Sequence, residues 1–183
     1  MRKRQSRFPI ILLIFSFTKE GYFKKITPQS LRMSGEQKLK DGDEIIQELE
    51  FTNNCDLLFF TDKCQVYKAK ADDFAQTKAS VLGDYVAAKL GFDEGENAVK
   101  MVVTKDYKGM LLFAFENGKA AKVPLESYAT KTNRKKLTGA YSDKSPLVGL
   151  LYMPEDEEVL FKASSGNYAP CSLRVHSVSQ TTT

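Results

Sequence analysis

The sequence predicts an all-β fold assembled from repeated units of about 50 residues. Three observations support this prediction. Short apolar runs rich in phenylalanine, leucine and isoleucine recur along the chain, and each is followed by a polar turn and a lysine-bearing strand. A second element, a polar turn with glycine followed by a strand, recurs in register with the first. Between these elements the sequence contains no long amphipathic helix with capping residues, which argues against the helical classes.

The first element is a predicted β-hairpin with three clear copies and a fourth, weaker one. The copies cover residues 14–25, 57–68, 111–122 and 159–166. Their turn residues are Gly21, Cys64, Gly118 and Gly166. Successive turn residues are separated by 43, 54 and 48 residues. This spacing is typical of propeller blades, and the chain has room for about three blades and the start of a fourth.

The second element precedes the next hairpin turn by a nearly constant distance. Gly42 lies 22 residues before Cys64, and Gly95 lies 23 residues before Gly118. Two elements that repeat in phase indicate one structural unit, for which we predict four short strands, the composition of one blade. The fold class is therefore predicted as an incomplete, propeller-like assembly of four-stranded blades.

The apolar runs also predict how the blades are covered. Leu57–Phe60 is continuous rather than alternating, which favours a strand buried on both faces. The connections at residues 71–74 and 125–128 have room for a single helical turn. The phenylalanines within the runs are predicted core residues: Phe59, Phe60, Phe113 and Phe115.

Four segments in succession carry a family resemblance. Gly21–Pro28 is a glycine turn with a basic strand, and Leu57–Lys68 is a hairpin. Leu90–Glu96 is an acidic Gly-Glu turn, and Leu111–Ala129 is a hairpin with the basic exit Thr130–Lys136. In this order the segments resemble the C-terminal β-pinwheel domain of the A subunits of DNA gyrase and topoisomerase IV.

The resemblance covers roughly residues 12–166 and implies a β-pinwheel. It implies a module that binds double-stranded DNA without sequence preference and bends or wraps it for an ATP-dependent type IIA topoisomerase. The implied partners are double-stranded DNA and the catalytic core and ATPase subunit of such an enzyme, in the bacterial cytoplasm at the nucleoid. We expect no membrane partner and no cofactor in this chain.

The chain departs from the family pattern at several points. Ser30–Lys38 stands where gyrase subunits carry a Gln-Arg-Arg-Gly-Gly-Lys-Gly type of box, so the resemblance moves toward topoisomerase IV or a divergent paralogue. Cys64 stands where glycine is usual. The family domain has more blades than this chain has room for, and it follows a domain with a catalytic tyrosine and arginine. We expect no catalytic residue in this chain, and a non-functional truncated fragment is an alternative.

The predicted DNA contacts are basic residues at fixed positions in the repeats. Lys25, Lys68 and Lys122 each lie four residues after a turn residue, and equivalent positions in a ring of blades would line one rim. Such lysines would neutralise successive phosphates of the DNA backbone. The residues that extend this predicted track are Lys24, Lys131, Arg134, Lys135 and Lys136. The alternative is that these are solvated charges on exposed strand faces.

Composition and motifs argue against metal and nucleophilic sites. The formal net charge of +4 mildly favours polyanionic partners. Cys55, Cys64 and Cys171 include no CxxC pair, which favours a reducing compartment over a disulfide or zinc framework. His176 is the single histidine and has no ligand residue at metal-binding spacing. The acidic run Glu155–Glu158 favours a solvated turn over a metal site.

Both ends of the chain differ from the repeats. Residues 1–11 form a basic and apolar extension, whose alternative is a signal peptide, although no small-residue cleavage site follows it. Residues 167–183 form a divergent tail that we expect to be flexible, and Pro170 lacks the N–H that a central strand needs. The second function class is a scaffold that binds a protein partner, which a shallow salt dependence of binding would distinguish from DNA binding.

Overall fold

The computed structural model describes residues 9–130, 135–155, 159–162 and 168–171. The described residues form mainly β-strands, which confirms the all-β class. The chain divides into two compact units. The first unit comprises Met1–Lys105 and Lys135–Thr138, and the second comprises Asp106–Arg134 and Gly139–Thr183. The sequence-based boundaries after residues 11 and 166 stay predictions.

The elements are short, and most helical segments are single turns. The strands are β1 (Leu12–Thr18), β2 (Tyr22–Ile26), β3 (Ile45–Thr52), β4 (Asp56–Thr61), β5 (Val66–Lys70), β6 (Gln76–Thr77), β7 (Asp84–Tyr85), β8 (Ala98–Thr104), β9 (Met110–Phe115), β10 (Ala120–Pro124), β11 (Lys136–Leu137), β12 (Leu147–Met153), β13 (Val159–Lys162) and β14 (Tyr168–Cys171). The α-helices are α1 (Pro28–Ser34) and α2 (Val86–Leu90). Turns of 3-10 helix at Ala71–Asp73 and Leu125–Tyr128 confirm the two predicted helical turns.

Each of three sheets is built around one of the predicted hairpins. The strand orders are β3-β1-β2-β6, β11-β5-β4-β8 and β10-β9-β12, and β7 also pairs with β2. We call these the first, second and third sheets. In the first and second sheets the strand of the second repeated element, β3 or β8, pairs antiparallel with the first strand of the hairpin, and β12 takes the same place in the third sheet. The two sequence elements that recur in phase are therefore neighbours in one sheet.

The outer edge of two sheets is completed from farther along the chain. β6 and β7 follow the second hairpin but pair with β2 of the first sheet. β11 follows the third hairpin but pairs with β5 of the second sheet. These two-residue strands cover edges that would otherwise be open to pairing with another chain.

The three hairpins share one register. The opposed residues are Phe15 and Lys25, Leu58 and Lys68, and Leu112 and Lys122. The equivalence of the three lysines within the repeats is therefore confirmed at the level of strand pairing. The turn residues Gly21, Cys64 and Gly118 have φ angles of 87°, 56° and 76°. Cys64 thus adopts a left-handed conformation that costs a non-glycine residue about 1–2 kcal/mol.

The second element recurs in register because it binds the hairpin turn. In each repeat, a turn N–H donates to the carbonyl oxygen just before β3, β8 or β12. These bonds run from Lys19 to Glu44 (2.9 Å), from Asp62 to Asn97 (3.0 Å) and from Glu116 to Pro146 (3.0 Å). In the second sheet the buried Glu96 carboxylate also accepts from the Thr61 hydroxyl and, at 2.7 Å, from the Tyr67 hydroxyl. The hairpin tip is thereby fixed to the strand of the second element.

The core of the first unit lies between its two sheets. The ring centroid of Phe59 in β4 lies 5.7 Å from that of Phe17 and 6.0 Å from that of Phe23. Phe74, beside the 3-10 turn, lies 4.8 Å from Phe23. Each fully buried phenylalanine contributes about 2–3 kcal/mol to folding. Burial of the four predicted aromatic residues confirms their assignment to the core: Phe59, Phe60, Phe113 and Phe115.

A glutamine side chain also joins the two sheets of the first unit. The Gln47 Oε1 in β3 accepts from the Met101 N–H at 2.7 Å, and its Nε2 donates to the Met101 carbonyl oxygen at 2.8 Å. Met101 lies in β8, at the edge of the second sheet. The amide therefore satisfies main-chain groups that β4 does not reach.

β13 and β14 form an antiparallel pair. The broken sequence pattern after residue 166 gives no strand signal, yet Leu160 lies opposite Pro170 in a two-stranded pair. A proline is compatible with this arrangement because an edge strand leaves half of its N–H groups without a ladder partner. His176 and the acidic residues 156–158 lie outside the described residues.

Candidate nucleic-acid interface

Two predicted DNA-contact residues are buried in the first sheet. Lys24 and Lys25 are 1% and 5% exposed. The Lys25 Nζ donates to the Ala71 carbonyl oxygen at 2.6 Å, and the Lys24 Nζ donates to the Lys38 carbonyl oxygen at 2.7 Å. Burial lowers the pKa of both lysines. Each ammonium group is therefore held by a main-chain oxygen within the first unit.

The third sheet also buries its equivalent lysine. Lys122 of β10 is 7% exposed. Lys131 and Arg134, predicted to extend the basic track, lie outside the described residues. DNA contact by these residues and by Lys24 and Lys25 stays a prediction. For the two lysines of the first sheet, contact with a phosphate would require the ammonium to leave its present carbonyl partner.

The pairing of β5 with β11 brings distant predicted contacts together. The Lys68 N–H donates to the Lys135 carbonyl oxygen at 2.7 Å, so these lysines are neighbours across two strands. Lys135 is exposed, whereas Lys68 is half-buried, and burial lowers the pKa of Lys68. Lys70 is exposed and lies on the same face of β5 as Lys68, because side chains alternate along a strand. We name Lys68, Lys70 and Lys135 the lysine edge.

The lysine edge places three lysines at neighbouring positions of β5 and of the residue just before β11. Like charges at neighbouring positions of paired strands destabilise a sheet by up to about 1 kcal/mol. Asp56 lies opposite Lys70 in the β4–β5 pair, and its charge acts on Lys68 against the effect of burial. The DNA backbone presents closely spaced negative charges, which neighbouring lysines can neutralise.

Lys136, the other predicted contact on β11, is engaged within the first unit. Its Nζ lies 2.8 and 2.7 Å from the two carboxylate oxygens of Asp93 and 5.4 Å from the centre of the Tyr67 ring. Gln65 donates to the same carboxylate at 2.9 Å, and Phe92 stacks on Tyr67 with ring centroids 4.1 Å apart. Hydrogen bonds from Gln65 and Lys136 lower the pKa of Asp93, and the bond to Asp93 raises the pKa of Lys136. We name Lys136, Asp93 and Tyr67 the β11 clamp.

The first sheet presents the opposite charge to solvent. Glu48 and Glu50 of β3 are exposed, as is Glu44 just before β3. The Lys19 Nζ lies 3.0 Å from the Glu44 Oε1 and forms an ion pair with it. In the first unit, lysines therefore cluster at the lysine edge, whereas exposed glutamates line β3.

The described residues give little support for a metal site, a membrane-spanning helix or a nucleophilic cysteine. They contain no group of three or more His, Cys, Asp or Glu residues placed to hold a metal ion. Within the same residues, no helix is long and apolar enough to cross a membrane. Burial raises the pKa of Cys55 to about 12, so its thiol stays protonated, and poorly nucleophilic, at neutral pH.

Comparisons with known proteins agree with the resemblance predicted from the motifs. The A subunit of DNA topoisomerase 4 from Staphylococcus epidermidis is 25% identical over 159 residues, which covers 84% of this chain and 20% of the relative. The crystal structure of the C-terminal domain of DNA topoisomerase IV is 25% identical and covers 83% of this chain and 49% of that chain, with a TM-score of 0.70. The chain is homologous to the C-terminal domain of topoisomerase IV A subunits. No protein-family model matches the chain.

More distant structures share the fold of this homologous domain. The E. coli ParC C-terminal domain has a TM-score of 0.62 at 14% identity, covering 81% of this chain and 59% of that chain. The DNA gyrase A C-terminal domain has a TM-score of 0.52 at 17% identity, covering 82% and 50%. The chain spans only 20% of the length of the curated topoisomerase subunits that it matches. The similarity therefore concerns one domain of much longer proteins.

The structure adds two residues to the predicted interface. Lys70 does not emerge from comparing one position per repeat, although its i+2 spacing from Lys68 already places both on one strand face. Asp93 was missed as the partner of Lys136 because 43 residues separate the two in sequence. The sequence feature that could have indicated this partner is the acidic turn at residues 90–96, which contains Asp93.

Proposed function

We propose that the chain binds double-stranded DNA without sequence preference, as a C-terminal module of a type IIA topoisomerase A subunit, and that the lysine edge makes the principal phosphate contacts. The observation that carries this proposal is the adjacency of Lys68 and Lys135 across β5 and β11. The homologous proteins are DNA topoisomerase subunits by name, which supports DNA as the partner.

The chemistry of the lysine edge suits backbone contacts rather than base recognition. Lysine is a flexible point charge with rotatable donors, and it lacks the planar fork by which arginine reads guanine. Cations that neutralise phosphates release condensed counterions, so the affinity falls steeply with salt. Binding should therefore be insensitive to sequence and sensitive to ionic strength.

The buried lysines have a different role in this proposal. Lys24 and Lys25 tie the first sheet to the segments at Lys38 and Ala71 through their ammonium groups. Lys38 belongs to the stretch that replaces the gyrase-type box, so that stretch is bound to the sheet. We assign these lysines to the stability of the fold and the lysine edge to DNA.

The proposal also concerns the longer proteins of which the chain matches a part. Because the chain matches 20% of a topoisomerase A subunit, its proposed partners are the catalytic core and ATPase subunit of such an enzyme, in the bacterial cytoplasm. The module would hold or bend DNA near that core. It supplies no catalytic residue in this proposal.

Salt-dependent binding of a labelled duplex to the full chain tests the proposal. Relative to the wild type, K68A/K70A/K135A should reduce the slope of log affinity against log salt by about three, because each phosphate contact accounts for about one unit. The matched control K19A/K40A/K78A removes the same charge from exposed lysines elsewhere in the first unit. Its slope should stay close to that of the wild type.

The opposite results would overturn the assignment. Equal loss in both triple variants would mean that net charge, and not the lysine edge, governs binding. A folded wild-type chain with no affinity, or with a shallow salt slope, would favour the protein-binding scaffold over the DNA module.

A further inference from the structure

The strand that begins directly after Lys135 has few main-chain bonds to hold it. β11 contains two residues, Lys136 and Leu137, which lie opposite Tyr67 and Val66 of β5. A strand this short gains little from its ladder, since a net hydrogen bond contributes only about 1 kcal/mol. Side-chain contacts must therefore contribute to keeping Lys135 beside Lys68.

The β11 clamp supplies such contacts next to the lysine edge. Asp93 meets the Lys136 ammonium with both carboxylate oxygens, at 2.8 and 2.7 Å, while Gln65 donates to the same group at 2.9 Å. Tyr67 lies under the ammonium at 5.4 Å, and its hydroxyl donates to Glu96 at 2.7 Å. The clamp thus joins β11 to Tyr67 of β5 and to Asp93, whose carboxylate is bound by Gln65 and whose N–H donates to Glu96 at 3.0 Å.

The charge of Lys136 is consequently committed to Asp93. We propose that Lys136 is a positioning residue, which together with Asp93 holds β11 so that Lys135 stands beside Lys68, and that Lys136 does not itself contact phosphate. This inference rests on the proposed DNA-binding function. It reassigns Lys136, which the sequence predicts to be a direct DNA contact.

The two roles of Lys136 give opposite signs for one substitution. Asp93→Asn removes a negative charge and frees Lys136, so a direct phosphate contact at Lys136 would make DNA binding tighter. In the positioning role, the same substitution loosens β11 and separates Lys135 from Lys68, so binding becomes weaker. Loss of a negative charge alone therefore cannot explain weaker DNA binding by Asp93→Asn.

The experiment compares duplex binding by the full chain in the wild type, D93N, K136M and the D93N/K136M double variant. We expect each single variant to bind about threefold to fivefold more weakly, as loss of one ion pair permits. The double variant should bind no more weakly than K136M, because both changes open the same clamp. The control E44Q also removes one negative charge, from the exposed pair with Lys19, and should bind as tightly as the wild type or more tightly.

Amide hydrogen exchange provides a readout that does not depend on DNA. The Lys68 N–H donates to the Lys135 carbonyl oxygen at 2.7 Å, so it reports directly on the seating of β11. We expect its exchange to be about fivefold faster in D93N and K136M, while E44Q leaves it unchanged. Thermal unfolding of the same samples confirms that the variants remain folded.

The outcomes separate this inference from the proposed function. Weaker binding by D93N with faster Lys68 exchange supports the clamp. Tighter binding by D93N, to the level of E44Q or beyond, or unchanged Lys68 exchange, overturns the clamp while DNA binding stands. A wild-type chain that binds no DNA overturns the proposed function, and the positioning role falls with it even if exchange shows that the clamp holds β11.

Discussion

The first and second sheets place a lysine at the same register but in different surroundings. Lys25 is buried with its ammonium on the Ala71 carbonyl oxygen, whereas Lys68 is half-buried with Lys135 as its neighbour. The hairpins are alike, so the difference comes from the segment that lies beside each lysine. The 3-10 turn at Ala71–Asp73 provides Lys25 with a carbonyl acceptor, whereas the segment just before β11 places Lys135 beside Lys68.

The two sheets also differ in the sign of the charged side chains that they present. The first sheet presents Glu44, Glu48 and Glu50 around β3, and the second presents the lysine edge. Equivalent repeat positions therefore share the same place along the strand. The neighbouring segment determines how exposed each side chain is. In the proposed function, the same repeat position would serve stability in the first sheet and DNA binding in the second.

Charge reversal at the two equivalent lysines should have the largest effect. Lys25→Glu places a carboxylate in a buried site that faces the Ala71 carbonyl oxygen, and we expect it to lower the free energy of unfolding by about 3 kcal/mol or more. Lys68→Glu should lower it by less than about 1 kcal/mol, because that side chain reaches solvent, but should abolish most of the DNA affinity. Urea unfolding measures the first effect and duplex binding the second.

Equal destabilisation by the two reversals would contradict the distinction between the sheets. Conservative changes provide the control, since Lys25→Met and Lys68→Met retain the aliphatic stems. We expect Lys25→Met to retain much of the stability that Lys25→Glu loses, because the methionine introduces no buried charge.

A smaller contrast concerns the acids that bind the hairpin tips. Glu96→Ala should cost about 2–3 kcal/mol, because it leaves the Thr61 and Tyr67 hydroxyls and the Asp93 N–H without their shared acceptor. Asp43, just before β3, accepts from the Glu20 N–H at 2.9 Å; Asp43→Ala should cost about 1 kcal/mol, because Asp43 is half-exposed and water can replace it. Urea unfolding of the two variants should rank them in this order, and the reverse order would contradict the account of the tips.

Much of the fold could be predicted because the hairpins and the strands beside them are long enough to carry a pattern. The repeat phase identified β1, β4 and β9 and explained the position of Gly42 and Gly95. The edge strands could not be predicted, since two residues such as Lys136–Leu137 carry no periodicity. Their pairing with β5 depends on tertiary contacts, including the bond from Lys136 to Asp93.

The candidate contacts could be proposed from the sequence for the same reason, and their contact with DNA stays a prediction. The repeat register selected Lys25, Lys68 and Lys122, and the basic exit of the third hairpin added Lys135 and Lys136, but spacing along a chain does not reveal which segment will cover a side chain. The burial of Lys24 and Lys25 depends on carbonyl groups of Lys38 and Ala71, which belong to other elements. Sequence therefore located the basic positions, and the fold shows which of them are buried.

The central claim is that the lysine edge, and not the first sheet, meets DNA. Titration of a short duplex into the ¹⁵N-labelled full chain, followed by NMR, tests this most directly. We expect the largest shifts at the amides of Lys68, Lys70 and Lys135, with Lys24 and Lys25 unmoved at matched salt. Shifts concentrated at Lys24 and Lys25, with the lysine edge unaffected, would contradict the account.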